Sequence, residues 1–98
     1  MATSELQWHP DAILDAEVAR DWYAERSPLA ARGFLLALND AVVAVVRAPD
    51  QCPEKDDGCR HHIFISRYPY TLVYRTAPNF QVVAVAHHRR RPGFWVGR

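Results

Sequence analysis

From Gly58 to Arg98 there is not one carboxylate. All 11 acidic residues fall in residues 1–57 against five bases (Arg20, Arg26, Arg32, Arg47 and Lys55), a net −6. The remaining residues carry seven arginines, a net +7, together with four of the five histidines. A basic half without internal counter-ions must be neutralised by the acidic helices of its own fold or from outside. The outside candidates are a polyanion, an acidic protein, or the phosphate of a scissile RNA bond. Lysine is nearly absent as well, at one against eleven arginines. Either a GC-rich coding source or a preference for the planar, multi-donor guanidinium accounts for that.

Long hydrophobic runs are missing too. The longest uninterrupted apolar run, Ala41 to Val46, has six residues, whereas a membrane span needs about 20. No membrane partner is expected. Met1 to Trp8 is polar and lacks a basic start followed by an apolar stretch, so no secretory signal is read there. The expected compartment is the cytoplasm, where Cys52 and Cys59 would be reduced. Ninety-eight residues, 49% hydrophobic and 23% charged, fit one globular domain spanning 1–98.

The periodicity predicts a short strand over Glu5 to His9, with Leu6 and Trp8 on one face. Pro10 and Asp11 suit a helix entrance. Leu14, Val18 and Trp22 then recur at i, i+4 and i+8, the stripe of an amphipathic helix running to about Arg26. Ser27 and Pro28 form a second start as N-cap and first helical residue. The helix that follows carries Leu35, Leu38, Val42, Val45 and Val46 on its expected buried stripe and ends near Ala48. Gly33 within it is expected to permit close packing against the first helix. Residues 49–59 are turn-rich and read as a loop. Strands follow over roughly 60–66, 69–76 and 80–87, the last two joined by Ala77-Pro78-Asn79. The fold class is α+β, a helical hairpin on a small sheet whose last three strands are antiparallel. One core is expected from Leu14, Val18, Trp22, Leu35, Leu38, Val42, Tyr70, Leu72, Val83 and Val85.

The run Arg67-Tyr68-Pro69-Tyr70-Thr71-Leu72-Val73-Tyr74-Arg75, followed by Val82 to Trp95 with His87-His88-Arg89-Arg90-Arg91 inside it, resembles the RelE/ParE superfamily. The helical hairpin with Trp22-Tyr23 and Pro28 is similar as well, so the resemblance covers nearly the whole chain. It implies the toxin of a type II toxin–antitoxin, plasmid-stabilisation-like module, without cofactor, neutralised by a cognate antitoxin protein. Within the superfamily, ParE-like members inhibit DNA gyrase, and RelE-like members cut messenger RNA on the ribosome. RelE-like nucleases place an arginine just before the hydrophobic-hydrophobic-Tyr triplet, aimed at the phosphate. Here that position is Thr71, which offers no charge; a missing transition-state donor costs on the order of 100- to 1000-fold. The ParE-like branch is therefore favoured.

Two alternatives stay open. In an RNA-cleaving member, His87 and His88 with Arg75 and Arg89 would form the catalytic set, histidine having the pKa for acid–base work. A degenerate member would be retained only to bind a partner. Partner contacts are expected at Arg60, Arg67, Arg75, Arg89, Arg90, Arg91, Phe94 and Trp95. The three consecutive arginines find no acid in their own half and are expected to face water or a partner. Phe94 and Trp95 would fold the tail back beyond Pro92, on a domain that stays folded when cut after His88. Cys52, Cys59, His61 and His62 offer four soft ligands. Strand alternation aims His61 and His62 to opposite faces, so no metal site is assigned. Trp22, at helical spacing with Leu14 and Val18, reads as core.

Overall fold

A computed structural model describes residues 5–98; the first four residues of the polar N-terminal stretch lie outside the described residues. Strand β1 (Gln7–Trp8) leads into α1 (Pro10–Ala24) and α2 (Pro28–Arg47), followed by β2 (Arg60–Ile63), β3 (Tyr70–Arg75) and β4 (Gln81–His87). The sheet order is β1-β4-β3-β2. The three later strands pair antiparallel, while β1 runs parallel to β4 with Gln7 opposite Gln81 and Trp8 opposite Val82. A register shift at Val73/Tyr74 interrupts the β3–β4 ladder. The expected first strand is only two residues long, and residues 64–69 leave β2 to form a bend before β3.

Both helix starts follow from their caps. The His9 side chain accepts from the Asp11 amide at 3.1 Å, with Pro10 as first helical residue. Ser27 accepts from the Ala30 amide at 3.3 Å, with Pro28 in the same place. Residues 25–27 join the helices, too short a link for anything but a hairpin. Among the described residues α2 is long and apolar enough to cross a membrane, with 20 residues and a hydropathy of 1.8. Its many alanines, valines and leucines raise the mean although no run exceeds six residues. Here the stripe Phe34, Ala37, Leu38, Ala41 and Val45 is spent on the fold's own core.

The core differs from the expected one. Ala12 and Ala19, flanked by half-buried Ala16 and Tyr23, form the buried stripe of α1. Leu14, Val18 and Trp22 are 55, 60 and 50% exposed. At 100° per residue the two stripes lie roughly 130° apart around the helix. Alanine wins the inside because it lets α1 approach α2 and β4 closely, where leucine or tryptophan would hold them apart. Leu35 and Val46 of α2 are likewise exposed, and Phe34, Ala37 and Ala41 take the interior. Gly33 makes room for Tyr68 rather than for α1: an added Cβ would collide with the Tyr68 hydroxyl, which donates to the Ala30 carbonyl at 2.8 Å.

There are also two clusters instead of one. The helices cover the sheet face carrying Tyr70, Leu72, Tyr74, Val82 and Val85. The opposite face carries Val73, Val83, Ala84 and Ala86, and it is closed by Cys59, Trp95 and the half-buried Phe94. Val83 therefore belongs to the second cluster. Residues 89–98 fold back as a structural lid on the sheet, so cutting after His88 would uncover that face, at odds with the expectation that the domain stays intact after such a cut.

A candidate partner-binding groove

The apolar stripe that α1 turns away from the core becomes one wall of a groove of about 940 Å³. Leu14, Val18 and Trp22 form that wall. Pro69, Tyr70 and Val85 form the floor on the sheet side, and His87, His88, Arg89 and Arg90 its basic rim. Asp11, Asp15 and Arg98 close one end. The wall is rigid because Trp22 is fixed on both sides. Its ring meets Tyr23 edge-on at 5.0 Å, and the Arg26 guanidinium stacks over it at 3.6 Å while donating to the Trp22 carbonyl at 2.7 Å. Tyr23 in turn stacks on Phe34 and meets Tyr68 edge-on. A continuous aromatic layer thus ties the groove to the core.

The rim is ordered by main-chain contacts. The Arg89 amide donates to His87 Nδ1 at 3.0 Å, the Arg90 amide to the His87 carbonyl at 3.0 Å, and the His88 amide to the Pro69 carbonyl at 2.9 Å. His87 rests edge-on against Tyr70 at 5.0 Å. Burial, with His88 and Arg89 beside it, lowers its pKa below the ordinary 6.5. A ring that accepts at Nδ1 and resists protonation is a neutral contact at pH 7. Burial and the neighbouring Tyr23 push the Tyr70 hydroxyl far above its usual value, so it stays a protonated donor. The groove is therefore apolar in the middle and positive along one lip, the arrangement that fits an amphipathic segment bearing carboxylates.

The candidate residues separate into groups. Arg89 and Arg90 lie on the rim, and Arg67 and Arg91 are exposed. Arg60 is instead a structural tether: it donates to the Cys52 carbonyl at 2.5 Å and pairs with Asp50 at 3.6 Å, holding the 49–59 loop. Arg75 donates to Gln81 Oε1 at 2.7 Å and to the Arg98 main-chain oxygen at 3.0 Å. In register it sits opposite Gln81, whereas Tyr70 sits opposite His87. Five strand residues separate these ends, roughly 17 Å, so His87, His88 and Arg89 are brought together and Arg75 is not. Thr71 Oγ1 lies 3.0 Å from His88 Nε2, an internal pairing for that side chain.

Phe94 and Trp95 do fold back. Trp95 is buried and donates from Nε1 to Asp57 at 3.0 Å. Burial acts to raise the Asp57 pKa, but the Cys59 amide, Trp95 and His61 together outweigh it and lower the carboxyl below its ordinary 3.8. The Arg90 guanidinium lies 3.6 Å above the Phe94 ring and reaches Asp15 at 3.4 Å. The arginine run is thus partly paired after all, by an acid of the other half that only folding brings near. Asp11, Asp15 and Arg98 were not singled out from the sequence as site residues, nor were Leu14 and Val18 as a surface. One signal existed: a helix with an alanine stripe and a separate leucine-valine-tryptophan stripe has one apolar face more than its core requires.

No group of three or more His, Cys, Asp or Glu among the described residues is placed to hold a metal. Cys59 is buried, and its desolvation together with Asp57 raises the thiol pKa above 9.0, which disfavours the thiolate a metal would need.

Residues 6–92 match the model of a family described as the ParE toxin of the type II toxin–antitoxin system, parDE. The fold is similar to a solved structure titled as the chromosomal ParDE TA system from P. aeruginosa. The TM-score is 0.73 at 19% identity, over 87% of this chain and 96% of that one. No curated protein matches the sequence.

Proposed function

The chain belongs to the ParE toxin family of type II toxin–antitoxin systems, and from that premise we propose that it inhibits DNA gyrase in the cytoplasm until a cognate antitoxin occupies the groove. The observation that carries the antitoxin reading is the exposed stripe Leu14, Val18 and Trp22 facing the His87-to-Arg90 rim. An apolar stripe held in water beside a basic lip favours an occupant that brings both apolar side chains and carboxylates. The similar fold from P. aeruginosa belongs to a chromosomal ParDE TA system, which supports an antitoxin as that occupant.

Gyrase is supported over messenger RNA by the uncharged Thr71 at the position where the resemblance places a nuclease arginine, although Arg89 and Arg90 of the rim lie beside His87. Cleavage by 2′-OH attack needs a cation on the phosphate beside the acid–base group. Arg75 is held at the far end of β3, and Thr71 is bonded to His88. The direct experiment sets purified gyrase supercoiling beside ribosome-bound messenger RNA cleavage. Inhibited supercoiling with intact message is the expected result. Cleaved message, lost on His87→Ala, would replace the gyrase reading with the nuclease one.

A further inference from the structure

Residues 93–98 lie beyond the stretch that matches the family model, yet they are fastened to the first helix. The Asp15 side chain is 7% exposed and that of Arg98 13%. Arg98 Nη1 donates to Asp15 Oδ2 at 2.7 Å and to the Val83 carbonyl at 3.0 Å, and Nη2 donates to Asp15 Oδ1 at 3.3 Å. Asp15 also accepts from the Val85 amide at 3.2 Å and from Arg90 Nη1 at 3.4 Å. The reason lies in the sheet. Strand β1 stops at Trp8 opposite Val82, so beyond that point the edge of β4 that faces away from β3 has no strand beside it. The Asp15–Arg98 pair stands in for one, with the carboxylate meeting the Val85 N–H and the guanidinium the Val83 C=O.

We propose that Asp15 is the positioning residue of the basic C-terminal element, a latch that holds Arg90 and Arg98 against α1 and so fixes the direction in which Arg89 and Arg91 project to the target. Four donated hydrogen bonds converge on one nearly buried carboxylate, and both captured guanidiniums approach the Phe94 ring, Arg90 at 3.6 Å and Arg98 at 5.2 Å. The second pin, Trp95 on Asp57, holds the middle of the segment independently. Loss of Asp15 therefore frees Arg90 and loosens Arg98, which keeps its bond to the Val83 carbonyl, a longer approach to Asp11 and the Arg75 bond to its main chain, without removing the lid from the sheet. A cluster held in place loses less entropy on binding than a free one, which is why the latch matters to toxicity. This inference rests on the reading of the chain as a toxin whose arginines meet the target.

The test is site-resolved trypsin digestion of the full chain with growth inhibition measured on the same variants. Asp15→Asn is expected to speed cleavage after Arg89 and Arg90 about tenfold while cleavage after Arg32 and Arg47 in α2 stays slow, and to weaken growth inhibition by a similar factor. Arg98→Gln should move both readouts in the same direction by a smaller amount, since Arg90 keeps Asp15, and the double variant should be no worse than Asp15→Asn, because the Asp15–Arg98 bonds are lost in either. Faster cleavage in α2 as well would mark Asp15 as merely structural and overturn the proposal. So would unchanged cleavage after Arg89 and Arg90, or released arginines with undiminished toxicity. If the wild-type chain does not inhibit growth, the toxin reading fails by itself, and the latch stands or falls on the digestion pattern.

Discussion

A β-carbon on Gly33 would run into the hydroxyl of Tyr68, which donates to the Ala30 carbonyl one helical turn earlier. Gly33→Ala gains up to about 1 kcal/mol of helix propensity, but displacing a buried hydroxyl from its partner costs about 1–3 kcal/mol. The expected net effect is a destabilisation seen as an earlier denaturant midpoint. In a Tyr68→Phe background the colliding oxygen is gone and most of the penalty should vanish; equal penalties in both backgrounds would refute the contact. His62 and His87 give a second residue-scale test. Burial lowers both pKa values from 6.5. In the unfolded chain each binds its proton near 6.5, before the folded form does. Stability is therefore full above that pH and falls as the pH drops through 6.5 toward the lowered folded values. Denaturation at pH 7 and pH 5 should show this loss, and His62→Gln should reduce it. A stability independent of pH in that window would contradict it.

At the scale of the element, α1 decides the site because its two apolar stripes do different work. The alanine stripe sets how closely the helix lies on β4 and α2, and the Leu14–Val18–Trp22 stripe remains for a partner. Substitutions in the two stripes should separate stability from binding. Ala19→Leu is expected to cost about 1–3 kcal/mol by overpacking. Trp22→Ala should cost well under that in stability, since half of the side chain is in water. The same change should weaken antitoxin binding by one to two orders of magnitude, about 1.4–2.8 kcal/mol, in calorimetric titration with the product of the neighbouring reading frame. Equal losses of stability and of binding at Trp22 would place it in the core.

Over the whole molecule, folding brings acids from one half of the chain to arginines of the other: Asp50 to Arg60, and Asp15 to Arg90 and Arg98. Arg67, Arg89 and Arg91 stay exposed, so the steering charge is smaller than the linear sequence implies. Antitoxin association should still slow as salt rises, chiefly through the on-rate, and stopped-flow rates independent of salt would refute that. The C-terminal lid is part of the same fold. Deleting residues 89–98 should lower the melting temperature and expose a dye-binding apolar face, and Trp95→Ala alone is expected to cost about 3–5 kcal/mol. A deletion variant as stable as the full chain would show that the second cluster needs no cover.

The elements were legible along the chain because their signals are local. Ser27-Pro28 caps one helix, Pro10 opens the other, and alternation around Leu72 and Tyr74 marks a strand whatever surrounds it. The family resemblance rested on such runs too, Tyr68 to Arg75 above all. Which face of α1 goes inside was not local. It depended on how closely β4 and α2 could approach, and there three alanines outcompeted a leucine, a valine and a tryptophan. Nor could spacing alone place Arg75 at the far end of β3 from His87, because that separation follows from the register of two strands. The pairing of Asp15 with Arg98 joins residues 83 positions apart. It exists because β1 is too short to cover β4, a fact of the assembled sheet and of no segment by itself.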